Sequence, residues 1–250
     1  EIVMKKFVLV FFLAVWMMAP LNVSAADKTA PVSQDALGEA IRTYLLENPD
    51  VMAEVFENTQ KYLIAEDEKR QSEMLKKNSD ALYNDERDFS IGSPDAPITI
   101  VEFFDYNCGY CKRAFPDIMK LTQKNPDVRV VFKEFPILGP ASEQAARVAL
   151  ASKNEGKYFA LHQGLLNARG SVSGAALSSL IEKHGLDADE IVMRGKNKDI
   201  DAHIMDVRNL AQSLGVSGTP AFIIDNQLFS GALSYDDMQS LIDEIRGSSN

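Results

Sequence analysis

The chain is poor in the residues that metal sites and disulfide scaffolds require. Its 250 residues include only two cysteines, Cys108 and Cys111, which excludes a framework of several disulfides. The three histidines are His162, His184 and His203. Their spacing is not that of metal ligands, and no further cysteine accompanies them. We therefore expect neither a metal nor a cofactor.

Basic residues are also fewer than acidic ones. Lysine and arginine number 26 against 36 aspartate and glutamate residues, which gives a formal net charge of −10. This balance argues against nucleic acids and anionic membrane surfaces as partners. The apolar run at 7–18 is shorter than the ~20 residues that a membrane-spanning helix needs.

That apolar run is instead typical of a secretory signal peptide. Lys5 and Lys6 precede it, and small residues suited to cleavage end at Ala25. We therefore predict a signal peptide at 1–25 and export to the periplasm. Disulfides persist in such compartments, so an exported pair of cysteines favours thiol exchange over zinc binding.

A redox dithiol is predicted between a strand and a helix. The apolar, β-branched run at 97–106 has strand character, and a helical pattern begins after Cys108. The free N–H groups and dipole at that helix start favour the thiolate of Cys108, the predicted nucleophile. Cys111 lies on the same face and is the expected buried resolving thiol. A bridge spanning only Gly109 and Tyr110 removes little chain entropy, so it suits exchange better than structural support.

Glu102 alternates with apolar residues along one face of the predicted strand. A carboxyl group held there would have a raised pKa and could exchange a proton behind the cysteines. The alternative is an edge strand on which Glu102 faces water.

The remainder of the chain predicts further strands with helices inserted between them. A second buried strand at 128–135 follows a helix, which indicates a parallel crossover. Lys133 and Glu134, near its end, are expected to reach solvent, although they could also border the active site. Helical periodicity then extends over about 141–214.

A proline stands at the head of the next predicted strand, after Thr219. Proline cannot donate to a strand ladder, so a cis bond between Thr219 and Pro220, facing the cysteines, would explain its place. A trans turn proline is the alternative that the pattern alone favours.

Two amphipathic helices are predicted ahead of this domain, before and after Asn48 and Pro49. They are too small to bury their own apolar stripe, so they either fold back or pair with another copy through 33–77. Self-association is the favoured interpretation. We predict a signal peptide at 1–25 and a helical oligomerisation region at 26–77. A linker with a possible strand at 89–91 occupies 78–96, and the α/β domain occupies 97–250.

These motifs resemble those of the thioredoxin superfamily. Cys108-Gly109-Tyr110-Cys111 with Pro116 resembles the family's dithiol and helix-kinking proline, and Thr219-Pro220 resembles its cis-proline strand. With the helical insertion, the chain from about residue 91 is similar to periplasmic DsbA-like proteins. The resemblance implies a thioredoxin fold with an inserted helical domain, in which Glu102 occupies the place of the family's buried acidic residue. It also implies substrate binding at Thr219, Pro220, Gly109 and Tyr110.

The dithiol and the residue before the proline also bear on activity. Cys-Gly-Tyr-Cys and Thr219 resemble the DsbC-type isomerases, whereas DsbA-type oxidases usually carry Cys-Pro-His-Cys and valine. The N-terminal helices are similar to those of DsbA-like proteins with an oligomerisation region, including the ScsC and Com-type families. This resemblance implies a homodimeric or homotrimeric disulfide isomerase with some oxidase and reductase capacity.

The expected partners are unfolded or wrongly disulfide-bonded exported proteins and a membrane redox partner of DsbD or DsbB type. Two other functions stay open at this point. One is a monomeric DsbA-type dithiol oxidase, re-oxidised by a quinone-linked membrane protein. The other is a chaperone or binding module of the cell envelope that uses the apolar N-terminal stripe.

Overall fold

A computed structural model describes residues 33–248. The predicted signal peptide at 1–25 lies outside the described residues. The chain divides into two compact units at Gln60 and Lys61. None of the helices within the described range combines the length and the apolar character needed to cross a membrane.

The N-terminal unit contains helix α1 (Gln34–Glu47) and the start of helix α2 (Pro49–Lys77). The Ser33 side chain accepts a hydrogen bond from the Ala36 N–H and so caps α1. Pro49 opens α2, where its missing N–H costs no hydrogen bond. Most of the large apolar side chains of this unit are exposed, among them Leu37, Ile41, Tyr44, Met52, Val55 and Phe56.

The second unit is built on a five-stranded sheet. Its strands are β1 (Phe89–Ile91), β2 (Ile98–Phe104), β3 (Val128–Glu134), β4 (Ala221–Ile224) and β5 (Gln227–Ser230), in the order β1-β3-β2-β4-β5. The pair β2 and β3 is parallel, as the crossover predicted, and the other pairs are antiparallel. Strand β2, which leads to the dithiol, is therefore the central strand.

Eight helices complete the described part of this unit: α3 (Ser79–Tyr83), α4 (Gly109–Lys124), α5 (Pro140–Ala151), α6 (Tyr158–Asn167), α7 (Gly174–Lys183), α8 (Ala188–Arg194), α9 (Lys198–Ser213) and α10 (Tyr235–Ser248). A 3-10 helix, Ser152–Glu155, follows α5. Helices α5 to α9 lie between β3 and β4 in the sequence and form the helical insertion.

The two faces of the sheet pack against different helices. Alternation along β2 sends Ile100 and Phe104 into the cluster that holds Cys111 and Phe115 of α4. Val101 and Phe103 point the other way, into a cluster with apolar residues of the α2 end, α3 and α9, among them Leu75, Leu82 and Leu210.

The segment predicted as a linker, 78–96, contains the strand that the sequence allowed at 89–91, which is β1, and also the helix α3, which the sequence analysis did not predict. Leu82 of α3 is fully buried in the second cluster. Leu75, within the predicted oligomerisation region, is buried there too. The segment seemed unstructured in sequence because it is mostly polar, but its Asp88 neutralises Lys133 inside the fold.

The prediction that Lys133 and Glu134 reach solvent is wrong. Both are buried, because apolar clusters cover both faces of the sheet at β3, with Val130 and Phe132 in one cluster and Val131 in the other. Remote partners satisfy their polar atoms. Lys133 pairs with Asp88, and Glu134 accepts hydrogen bonds from tyrosines that lie outside the strand.

Candidate active site

Cys108 occupies the N-cap position of α4, as the sequence predicted. Its sulfur lies 3.1 Å from the Thr219 carbonyl oxygen, to which the protonated thiol can donate a hydrogen bond. The Thr219–Pro220 peptide bond is cis. Strand β4 follows this bond and pairs antiparallel with β2, which brings Thr219 and the active-site turn together from distant parts of the chain.

The two cysteines are not joined by a disulfide, and their pKa values are shifted in opposite directions. A hydrogen bond from the Cys111 side chain, aided by the N–H groups of Cys111 and Tyr110, outweighs burial and lowers the pKa of Cys108 to about 5. Burial, followed by the hydrogen bond to Cys108 and the charge of Glu102, raises the pKa of Cys111 well above its ordinary value. At neutral pH the site therefore holds a thiolate at Cys108 and a protonated Cys111.

We expect alkylation of the reduced protein by iodoacetamide to follow the ionisation of Cys108. The rate should rise with pH to a plateau with a midpoint near pH 5, because the pKa of Cys108 is lowered to about 5. Peptide mass analysis should find the label on Cys108 and not on Cys111, which is fully buried. A midpoint near the ordinary thiol pKa of ~8.5 would contradict this assignment.

Glu102 lies on the face of β2 that points towards α4. It pairs in register with Phe132 and Phe222 on the neighbouring strands and is only 1% exposed, so the edge-strand alternative is excluded. Burial, and then the negative charge of Cys108, raises the pKa of Glu102 to about 8. Among the residues that the structure describes, none forms a hydrogen bond with its Oε2 atom. This buried carboxyl group is close enough to Cys111 for its charge to raise the pKa of that thiol.

The sequence analysis did not identify Asp105, which shapes the turn before the dithiol. Its buried carboxylate accepts hydrogen bonds from the N–H groups of Asn107, Ile137 and Leu138 at 2.7, 2.9 and 3.0 Å. The bond to Asn107 is a local turn interaction that the sequence could have suggested. The other two bonds hold Ile137 and Leu138, which follow β3, next to the turn that carries the reactive cysteine.

Asn107 and Lys112 attach the helical insertion to the same turn, and the sequence analysis missed both roles. The Val172 N–H donates to the Asn107 side-chain oxygen at 2.8 Å. The Lys112 ammonium donates to the carbonyl oxygens of Ala168 and Gly170 at 2.8 and 2.6 Å. The segment 168–172 therefore forms one wall of the site.

A buried polar network lies behind the turn. The hydroxyl groups of Tyr106 and Tyr158 donate to Glu134 Oε1 at 2.8 and 2.7 Å, and His162 Nδ1 is 3.0 Å from the Tyr106 hydroxyl. Burial lowers the pKa of His162 to about 3, so this imidazole is neutral. The network joins the turn, β3 and α6, and it holds the His162 ring beside Tyr106.

Gly109 and Tyr110 form the exposed side of the dithiol. The Tyr110 ring is 61% exposed, and the Arg113 guanidinium lies over it, 4.3 Å from the ring centroid. The structure thus brings the predicted site residues to one place. Cys111 and Glu102 are buried, Cys108 is buried with 6% of its surface exposed, Thr219 is half-buried, and Gly109 and Tyr110 face solvent.

The chain is similar in sequence and fold to proteins of known structure. A thioredoxin-like oxidoreductase from Silicibacter pomeroyi is 38% identical, with a TM-score of 0.65 over 67% of this chain and 97% of that one. Proteus mirabilis ScsC, solved in a transitional conformation, is 28% identical, with a TM-score of 0.64 over 84% of this chain and 95% of that one.

A curated relative extends beyond this domain. The Na(+)/H(+) antiporter NhaA 1 of Salinispora arenicola is 27% identical over 159 residues, which are 63% of this chain and 24% of the antiporter. This chain therefore spans about a quarter of that relative. The model of the DSBA-like thioredoxin domain matches residues 99–243, which include the dithiol and the cis proline. The chain belongs to the DsbA-like thioredoxin domain family of thiol:disulfide oxidoreductases.

Proposed function

We propose that this protein is an exported, periplasmic thiol:disulfide interchange protein that acts mainly as a disulfide isomerase, with some oxidase and reductase capacity. Its substrates are unfolded or wrongly disulfide-bonded exported proteins. The observation that carries the proposal is the position of the low-pKa Cys108 sulfur opposite Thr219, with a protonated Cys111 buried behind it.

In the proposed reaction, the Cys108 thiolate attacks one sulfur of a substrate disulfide. The substrate S–S bond breaks, a mixed disulfide forms with Cys108, and the other substrate sulfur leaves as a thiolate. In isomerisation this thiolate attacks another substrate disulfide, and a substrate thiolate finally displaces Cys108, so no net oxidation occurs.

When rearrangement fails, Cys111 resolves the mixed disulfide. Cys111 loses its proton to Glu102 and attacks the Cys108 sulfur, which forms the Cys108–Cys111 disulfide. The bound substrate sulfur leaves as a second thiolate, so the substrate has gained two electrons and the protein has lost two. A membrane redox partner of DsbD type would return those electrons; a partner of DsbB type would instead support oxidation.

Insulin reduction and reactivation of scrambled ribonuclease test this function. The protein should accelerate both reactions, and the Cys108→Ser variant should lose all of the acceleration because serine is no nucleophile towards disulfides. If the unmodified protein is inactive in both assays, or the variant is equally active, the proposal is wrong. Acceleration of thiol oxidation without ribonuclease reactivation would favour the oxidase instead.

We further propose that the exposed apolar side chains of α1 and α2 associate with a second copy of this chain, as a homodimer or homotrimer. Leu37, Ile41 and Tyr44 are each more than half exposed, and Phe56 is 66% exposed. Clustering of such residues on helices is typical of protein interfaces. Association would place two or more dithiols around one misfolded substrate and raise their effective concentration.

Phe56→Glu is expected to convert the oligomer into monomers, because it places a charge within the apolar stripe. Light scattering on purified protein gives the molar mass directly. Ala65→Glu is the matched control, since it adds the same charge two and a half turns further along α2, on the side opposite Phe56, and should leave the mass unchanged. A monomeric parent protein, or equal dissociation of both variants, would contradict the proposed interface.

A further inference from the structure

We propose that the surface around Cys108 selects substrates that carry acidic side chains close to their disulfide. This inference rests on the proposed function and adds a class of substrate to it. The observations that carry it are the sign of the exposed charges around the reactive sulfur and the fixed position of Arg113.

Four segments surround the reactive sulfur. The first, 105–113, contacts the other three through Asp105, Asn107 and Cys108. A substrate segment bound at Cys108 therefore passes over side chains from these parts of the chain. The four segments are 105–113, 136–139, 168–173 and 215–219.

Every solvent-accessible charged residue in these four segments is a lysine or an arginine. They are Lys112, which is half-buried, and the exposed Arg113 and Arg169. The one acidic residue among them, Asp105, is 1% exposed, and three N–H donors occupy its carboxylate. In a chain whose net charge is −10, the site is therefore a local region of positive charge.

Arg113 is held where a substrate would meet it. Its guanidinium stacks on Tyr110, and its Nη1 atom lies 3.5 Å from the position that a Cβ atom would take at Gly109. It thus covers the dipeptide between the cysteines. Within 33–248, no carboxylate forms an ion pair with this guanidinium. A planar, pre-positioned guanidinium suits bidentate binding of a carboxylate.

The test compares how fast the fully reduced protein reduces three peptides of equal length. Each has one intramolecular disulfide, flanked by glutamate, glutamine or lysine. At low salt we expect the glutamate peptide to react about fivefold faster than the glutamine peptide, and the lysine peptide to react more slowly than both. In about 1 M salt, where charges are screened beyond about 3 Å, the three rates should converge.

Variants assign the preference to the basic side chains. Arg113→Gln should reduce the glutamate-to-glutamine rate ratio about twofold, and Arg113→Gln with Arg169→Gln should bring it close to one. Lys120→Gln is the matched control. Lys120 belongs to α4, like Arg113, and its ammonium lies over the Tyr235 ring, 3.6 Å from the centroid. It is more than two turns beyond the dithiol. It should leave the ratio unchanged.

The ratio within each variant is the readout, so a change in the reactivity of Cys108 itself cancels. Equal rates for the three peptides at low salt would overturn the inference and leave the proposed function standing. Equal loss of preference in Lys120→Gln and Arg113→Gln would also overturn it. Failure to reduce any of the peptides would instead overturn the proposed function.

Discussion

Replacing Glu102 with glutamine is expected to slow the attack of Cys111 on mixed disulfides about a hundredfold, while the first attack by Cys108 keeps its rate. Cys111 is fully buried, and burial raises its pKa, so it needs a proton acceptor before it can attack. Glutamine preserves the shape of Glu102 and removes that acceptor. Acid quenching followed by mass spectrometry should therefore show the mixed disulfide accumulating in the variant.

The pH dependence gives an independent readout of this role. The pKa of Glu102 is raised to about 8, so the carboxylate that accepts the proton becomes more populated as pH rises towards that value. The resolution rate of the parent protein should therefore increase up to about pH 8, and the Glu102→Gln variant should lack this increase. Equal rates and equal pH profiles for the two proteins would contradict the assignment.

Unfolding in urea tests whether Glu102→Gln keeps the stability of the parent protein. A carboxyl group whose folded-state pKa is raised loses its contribution to stability as pH rises from its ordinary pKa of ~4.3 through about 8. Glutamine does not ionise and avoids this loss. Above pH 8 we therefore expect Glu102→Gln to be at least as stable as the parent protein.

Asp88→Asn is expected to lower the free energy of unfolding by about 3 to 5 kcal/mol. The side chains of Asp88 and Lys133 are 3% and 1% exposed and form an ion pair in the interior. Without the carboxylate, the Lys133 ammonium stays buried beside the Ala81 carbonyl but loses the charge that neutralises it. Denaturation in urea, followed by circular dichroism, measures the loss.

Two controls distinguish an unpaired buried charge from a general loss of packing. The double variant Asp88→Asn, Lys133→Met removes both charges and should recover most of the lost stability. Arg70→Gln breaks an ion pair whose side chains are 73% and 66% exposed, so it should cost less than about 1 kcal/mol. If the double variant is no more stable than Asp88→Asn, the buried charge is not the cause.

Local patterns were enough to predict the reactive part of this protein. The run that forms β2, the helix that begins after Cys108 and the apolar face that carries Glu102 are all properties of neighbours in sequence. The spacing of Cys108 and Cys111 likewise fixed their relation at the start of one helix. Such features follow from residue propensity and from the periods of strands and helices.

Polar residues were predicted poorly because their burial depends on partners elsewhere in the chain. Lys133 is buried because Asp88 neutralises it, and Glu134 because two tyrosines donate to it. Neither contact leaves a local pattern in the sequence. The same reason explains why the polar segment 78–96 was interpreted as a linker, although it supplies α3 and β1.

The dithiol, the strand and helix that present it, and the resemblance to a family all follow from the amino-acid sequence. The folded chain was needed to see that the Thr219 carbonyl contacts Cys108, that Asp105 and Asn107 bind the surrounding segments, and which carboxyl groups are buried. The difference lies in the range of the interactions. Propensity and periodicity act over a few residues, whereas burying a charge or a polar atom requires a partner that only chain folding can bring to it.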